Sequence, residues 1–540
     1  MRKFLLAAGA AFLGFPATAQ APEPPKLIVA IAVDQFSADL FDEYQPSFTA
    51  GLARLSSGTV FHNGYQSHAV TETCPGHSTI LTGDHPARTG IIGNYWIDQS
   101  IARPDKNVYC AEDESVPGTS SIADKISPEH LLVPTLGDLM KARWSDSHNV
   151  AVSGKDRAAV MMSGHNIDQR WYWTGTRFDT DLAGVAVPAV VAKVNALAAA
   201  GLATARPPLE PTPLCQSKAR VITVEGGGKS VGAGAFARTA GDQAAFRASP
   251  ELDGDTLALA AALVDSMQLG RHADPDMLSI SLSATDYVGH SYGTEGQEMC
   301  LNLTELDREI GDFLNVLDSR KLNYEVVLTA DHGGKDIPER QRLAGVTDAA
   351  RVDSALSASA MGKALVTKLG LPGPGLLGDN SVGDMYVDKR LSASEQQQLL
   401  DAAIAAYRAH PQVEAVFTAA QIAATPIATT PPETWSLIQR VRAGYYPGRS
   451  GDFFVVLKKD VTPIANTTYS VATHGSAWVY DRRVPILFWR SGASGVTVEH
   501  SADTTDVMPT LASMIGLPVK PGSIDGHCLA EVPGAHCPPN

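Results

Sequence analysis

Positive charge is what this sequence is short of. Its 540 residues carry 43 basic against 58 acidic groups, a formal net charge of −15. A nucleic-acid binder that works through phosphate contacts carries the opposite bias, so no nucleic-acid surface is expected. Beyond the first twenty residues no apolar run is long enough to span a bilayer, which excludes a polytopic membrane protein. No two cysteines form a CxxC pair, so a thiolate zinc site has no support. No internal repeat is evident. Gly226-Gly227-Gly228-Lys229-Ser230 resembles half a phosphate loop, but Thr223 stands where glycine is needed and no helix clearly follows. What is present is a globular composition, 44% hydrophobic and 19% charged. The length is too great for one compact core and too small for three ordinary domains. An anionic substrate would need metal ions or a few focused cations to overcome the protein's own field.

The N-terminus reads as a secretory signal over residues 1–19. Arg2 and Lys3 form a positive start, Phe4 to Phe15 an apolar stretch, and Ala17-Thr18-Ala19 a small-residue cleavage site. Cleavage would remove two basic groups and no acidic one, taking the net charge to −17. The expectation is a mature protein that is periplasmic or secreted and free of the membrane. All six cysteines survive cleavage into an oxidising compartment, where disulfides are plausible. Six cysteines allow 15 pairings. A local bridge between Cys528 and Cys537, in a Pro/Gly-rich tail, is the preferred one.

Lys26 to Val33 is a β-branched apolar run ending at Asp34, as suits a strand buried on both faces of a parallel sheet. Similar runs at 149–153, 277–282, 325–330 and 484–489 alternate with helical patterns at 255–267 and 303–317. The fold class is therefore α/β with a mostly parallel central sheet, and chemistry should collect at the carboxyl ends of its strands. Two stretches, about 158–250 and 340–470, break the rhythm and read as insertions that could roof the site within a catalytic domain spanning 20–540. Trp171, Tyr172 and Trp173 read as packing residues.

Polar clusters do follow the strands. Asp34 ends the first, Asp286 and His290 stand four apart after the 277–282 run, Asp331-His332 follows the next, and His474 lies in a Thr-His-Gly-Ser segment. Three carboxylates and three imidazoles form a mixed oxygen and nitrogen ligand set that suits zinc; manganese fits less well and calcium poorly. In Thr71 to Gly83, Thr73 is placed as an N-cap, with Pro75 in the first turn and Gly83 near the C-cap. A helix N-terminus can bind phosphate through free N–H groups, and a metal or base could ionise the Thr73 hydroxyl into a nucleophile.

These residues resemble the alkaline phosphatase superfamily. Thr73-Cys74-Pro75-Gly76-His77-Ser78-Thr79 with His85-Pro86 and Gly90-Ile91-Ile92-Gly93-Asn94 resembles its nucleophile region. Asp286 to Gly293, Asp331-His332-Gly333-Gly334, His474-Gly475 and the Asp503 to Leu511 segment fit in the same order. The likeness is closest to threonine-nucleophile, phosphate-irrepressible bacterial alkaline phosphatases, and more distant to nucleotide pyrophosphatase/phosphodiesterases. It implies a three-layer sandwich with inserted cap segments and two zinc ions, one on Asp286, His290 and His474, the other on Asp34, Asp331, His332 and the Thr73 oxygen. It further implies attack by Thr73, a phosphothreonine intermediate and retention at phosphorus. The serine-nucleophile branch binds magnesium; with Thr73 in that place no magnesium site is carried over.

Monoester or diester is the remaining choice. Asn94 offers an amide donor in either case. Lys155 and Arg157, on one side of an extended backbone after a strand, would suit a dianionic phosphoryl group. Small phosphate monoesters are the expected substrates, acted on by a chain whose oligomeric state the sequence leaves open, with a monomer preferred. A phosphodiesterase or phosphonate hydrolase on the same scaffold, and a non-catalytic metal-stabilised binding protein, stay open as alternatives.

Overall fold

The computed structural model describes residues 23–122, 125–378 and 381–538. The signal-peptide segment, 1–19, lies outside the described residues. The apolar run after it forms the strand Leu27–Val33, buried throughout. It pairs in parallel with Asp276–Leu282 on one side and Tyr324–Thr329 on the other. Asn149–Ser153 and Gln169–Trp173 extend the parallel array. Leu27, Val29, Ile31 and Val33 face one core while Ile28, Ala30 and Ala32 face another. Strand side chains alternate between faces, so a run without polar breaks belongs in a sheet covered on both sides. Helices Glu251–Ser266 and Gln297–Ser319 cover the first face, and Thr73–Ile80, Leu136–Arg143 and Val507–Met514 the second. The result is a three-layer sandwich.

One strand of the expected series runs the other way. Arg483–Trp489 is antiparallel to Tyr324–Thr329 and to Thr59–Tyr65. Its beginning, not its end, therefore shares an edge with the carboxyl ends of the parallel strands. That reversal brings the loop carrying His474 to the same edge as Asp34, Asp286 and Asp331.

The first expected insertion starts too early. Residues 158–163 complete a helix over the sheet, and Gln169–Trp173 is a sheet strand in which Trp171, Tyr172 and Trp173 are buried. Apolar side chains that read as an interruption are instead the sheet's continuation. The Gly226–Ser230 stretch lies in and beside a short hairpin joining Ile222–Thr223 to Ser230–Val231. Within 340–470, Gly383–Val387, Phe453–Leu457 and Val413–Thr418 form a separate antiparallel sheet. Helices Ala358–Leu369 and Ala393–Ala409 pack on it around its own core, including Leu399, Tyr407 and Phe453.

The six cysteines form three disulfides: Cys74–Cys110, Cys215–Cys300 and the expected Cys528–Cys537. The first ties the helix carrying Thr73 to the end of the hairpin strand Asn107–Tyr109. Among the described residues no helix is long and apolar enough to cross a membrane.

Candidate active site

Thr73 opens an eight-residue helix, but as its first residue; Glu72 is the N-cap and Leu81 the C-cap. The expected cradle of free amides is largely used up. The Cys74 N–H donates to Asn94 Oδ1 at 2.9 Å, Pro75 has none, and the Gly76 N–H donates to the Glu72 carbonyl. Gly76 is required for a different reason. A Cβ there would come within 2.0 Å of the Asp331 carbonyl oxygen, so only glycine lets the nucleophile helix approach that loop. Asn94 is held at both ends, its backbone N–H donating to Glu72 Oε2 at 2.7 Å. With its amide oxygen committed to Cys74, its NH₂ is the group left to donate.

Lys155 and Arg157 do not share an extended backbone. Lys155 is the N-cap of helix Asp156–Ser163, and Arg157 lies in that helix's first turn. Both cations still border Tyr287, with Lys155 Nζ 4.9 Å from its ring centroid. The Lys155 side chain is buried, with Nζ 2.6 Å from Asp34 Oδ2, 2.6 Å from Asp286 Oδ2 and 3.4 Å from Thr73 Oγ1. Arg157 is half-buried, its guanidinium beside Tyr109, Tyr287 and Asp156.

The six candidate side chains lie close together. His290 Nε2 and His474 Nε2 lie 3.2 and 3.3 Å from Asp286 Oδ1. His332 Nε2 lies 3.3 Å from Asp331 Oδ2 and 3.5 Å from Asp34 Oδ1. The His332 and His474 rings stack with centroids 3.6 Å apart, so His332 sits between the two clusters and can serve either. Each imidazole uses Nδ1 on a carbonyl: His290 on Ala472, His332 on Gly333, His474 on Thr71. That pattern fixes the ring and turns Nε2 toward the cluster, as metal-ligating histidines are held.

The set fits a metal on an independent test. Asp34 Oδ1, Asp286 Oδ1, Asp331 Oδ2 and His332 Nε2 are buried and accept or donate no hydrogen bond. Such orphaned groups cost stability unless a cation completes them. Lys155 alone cannot balance three buried carboxylates. Burial, reinforced by Asp331, pushes the Asp34 carboxyl well up. At Asp286 burial is outweighed by His290 and Lys155, which hold the carboxyl well down. Burial lowers His332 to about 3, keeping it neutral and able to donate a lone pair.

Two neighbours were not singled out from the sequence. His77, inside the nucleophile motif, is fully buried; its Nδ1 lies 2.9 Å from the Thr73 carbonyl oxygen and 3.1 Å from Asp331 Oδ2. Its spacing of four from Thr73, one helical turn, was the available signal. Gln35 adopts φ 65° and donates its backbone N–H to Asp331 Oδ1 at 3.1 Å. Nothing in the sequence marks it, because a strained glutamine carries no pattern. Further out, His85 bridges Asp503 and Asp525 at 3.1 and 3.2 Å, fastening the nucleophile region to the C-terminal helix.

Next to Glu72 and Asn94 lies a cavity of about 370 Å³ that residues of the cap also line. Glu72, Asn94, Gly475, Trp96 and Asn107 line it together with Asp384 and Tyr386 of the cap sheet. Burial, with the Glu72 charge adding to it, pushes the Asp384 carboxyl up to about 7.

The family model for type I phosphodiesterase / nucleotide pyrophosphatase matches residues 28–477. The chain belongs to that family, within the alkaline phosphatase superfamily. It is 52% identical over 518 residues to alkaline phosphatase PhoK of Sphingomonas sp., covering 95% of this chain and 92% of the relative. It is 46% identical over 510 residues to alkaline phosphatase PhoD of Zymomonas mobilis, covering 93% and 88%. Among solved structures, wild-type alkaline phosphatase PafA superposes with a TM-score of 0.81 at 26% identity, covering 95% of this chain and 100% of that one. The chain is thus an enzyme of the superfamily, with its three-layer fold.

Proposed function

We propose that this chain is an alkaline phosphatase that hydrolyses small phosphate monoesters outside the cytoplasm. The observation that carries the choice of ester is Lys155: a buried ammonium 3.4 Å from the Thr73 hydroxyl, where a non-bridging phosphoryl oxygen would sit. A monoester brings one more negative charge than a diester to that cation. The Asn94 NH₂ adds a neutral donor.

In this reading Thr73 Oγ gives its proton to water and attacks phosphorus, the bond to the ester oxygen breaks, and the alcohol leaves with a proton from water. Water then attacks the phosphothreonine, frees inorganic phosphate and restores the Thr73 hydroxyl, giving net retention. Asp286, His290 and His474 would hold one zinc ion, and Asp34, Asp331, His332 and Thr73 Oγ another. When bound, such a pair supplies Lewis-acid stabilisation of the attacking and leaving oxygens. Lys155 offsets negative charge between the two ligand groups and orients the phosphoryl group. His77 keeps Asp331 aimed. The family match, the two alkaline phosphatases at 52% and 46% identity and the orphaned buried ligand atoms support the reading. Three disulfides support an oxidising compartment, in keeping with the signal-like residues 1–19.

The test compares kcat/KM for an aryl phosphate and for its methyl diester, on zinc-loaded protein and on Arg157→Ala and Lys155→Ala. A preference for the monoester, reduced in Lys155→Ala, is expected. Faster turnover of the diester would transfer the chain to the phosphodiesterase reading.

A further inference from the structure

We propose that the cavity between the nucleophile helix and the cap sheet is the leaving-group subsite, and that it selects monoesters of amino-alcohols and other cationic or neutral polyhydroxy alcohols while rejecting those with a second anionic group. The proposal rests on the monoesterase reading above.

Position comes first. Glu72 immediately precedes Thr73, Gly475 immediately follows His474, and Asn94 holds the Cys74 N–H, so three lining residues are neighbours of the reacting group. An ester whose phosphorus lies beside Thr73 Oγ has its alcohol portion directed into this cavity or into solvent. At about 370 Å³ the space accepts a small alcohol and suits a partly enclosed ligand.

Charge decides the class. The cavity is lined by two carboxyl groups, Glu72 and Asp384, and by no lysine or arginine. One comes from the nucleophile helix and the other from the cap, so a cationic or hydroxyl-bearing group between them meets acceptors on both walls. Each carboxyl is anchored: Glu72 Oε2 accepts the Asn94 N–H at 2.7 Å, and Asp384 Oδ1 the Gly451 N–H at 2.6 Å. Their remaining oxygens are available to a ligand. Tyr386 adds aromatic surface, while the Trp96 ring is already stacked with the Arg449 guanidinium at 4.9 Å. A second phosphate or a carboxylate on the alcohol would instead be placed against two acids. The cations of the catalytic centre attract the phosphoryl end while the acids oppose any anion at the other end. The subsite therefore sets orientation as well as preference.

The experiment measures kcat/KM of the zinc-loaded full chain for phosphoethanolamine, phosphoglycolate and phenyl phosphate, the last as a neutral reference. It then repeats the series with Asp384→Asn, which keeps the size and the acceptor for Gly451. Measured near pH 9, where Asp384 is ionised as well as Glu72, the wild type should prefer phosphoethanolamine over phosphoglycolate by on the order of a hundredfold, and Asp384→Asn should cut that ratio by roughly tenfold, as for one charge at a partly screened site. Raising the salt concentration should narrow the wild-type ratio. A ratio near unity, or one unchanged in Asp384→Asn, overturns the subsite. Failure to turn over phenyl phosphate at all would overturn the monoesterase reading instead, so the two failures are distinguishable.

Discussion

Replacing Lys155 by alanine tests how the centre balances its charge. The Lys155 ammonium lies 2.6 Å from both Asp34 and Asp286, with a side chain that is almost wholly buried. In protein stripped of metal it is the nearest cation to both carboxylates. Removing one partner of a buried ion pair costs about 3–5 kcal/mol, because the other charge is left uncompensated. At roughly 2.1 cal/mol/K per residue, unfolding this chain carries an entropy of about 1.1 kcal/mol/K, so the loss corresponds to a fall in Tm of roughly 3–5 °C. With zinc bound, the same carboxylates have a stronger partner and the penalty should shrink to about a degree. Differential scanning calorimetry of wild type and Lys155→Ala, each with chelator and with excess zinc, reads both differences. Equal Tm losses in the two conditions would show that Lys155 does not share its carboxylates with a metal. Activity should move the other way: in zinc, Lys155→Ala keeps near-native stability yet loses on the order of a hundredfold in kcat/KM for an aryl phosphate.

Other substitutions probe other parts of the molecule. Thr73→Ala should abolish turnover by at least about three orders of magnitude while retaining bound zinc, and Thr73→Ser should keep measurable activity; rapid-quench labelling with ³²P-substrate would trap a phosphoenzyme only where a hydroxyl is present. Replacing Cys74 and Cys110 together by serine removes a bridge of sequence separation 36. By loop-closure entropy it should cost about 4 kcal/mol, seen as a Tm lower by roughly 3–4 °C, and a KM increase should accompany it because the bridge fastens a cavity wall to the nucleophile helix. Glu309 is pushed up to about 9 by burial, with Asp253 adding to the shift. Its folded-state pKa lies above the unfolded one, so the native state binds the extra proton between about pH 4.5 and 9, and stability falls as pH rises through that window. Glu309→Gln should remove a slope of about 1.4 kcal/mol per pH unit there, measured by denaturant unfolding at a series of pH values.

Much of the site was legible in the sequence because its residues follow buried strands directly. A run such as Leu27–Val33 can be satisfied only inside a two-sided sheet, and the first polar residue after it must stand at the sheet's edge. Asp34 and Asp331 were placed in this way, with Asp286 in the first turn of the helix after its strand, and their convergence follows from three adjacent parallel strands. What was misread depended on local backbone geometry. Whether Lys155-Asp156-Arg157 stays extended or turns helical changes how the two side chains are set, and pattern alone does not fix that boundary. Thr73 was one position off for the same reason.

By itself the sequence determined an α/β enzyme with a ligand set at strand ends, because periodicity of burial and side-chain chemistry are properties of residues in order. It also determined that the cations for an anionic substrate must be few and local, since the chain as a whole carries −15. Only the tertiary structure decided how those groups share space. Lys155 lies between Asp34 and Asp286, His332 between two ligand clusters, and Asp384 of the cap in one cavity with Glu72 across 312 positions of sequence. Such neighbours are set by packing between layers, where the energy depends on distance in space and not on distance along the chain.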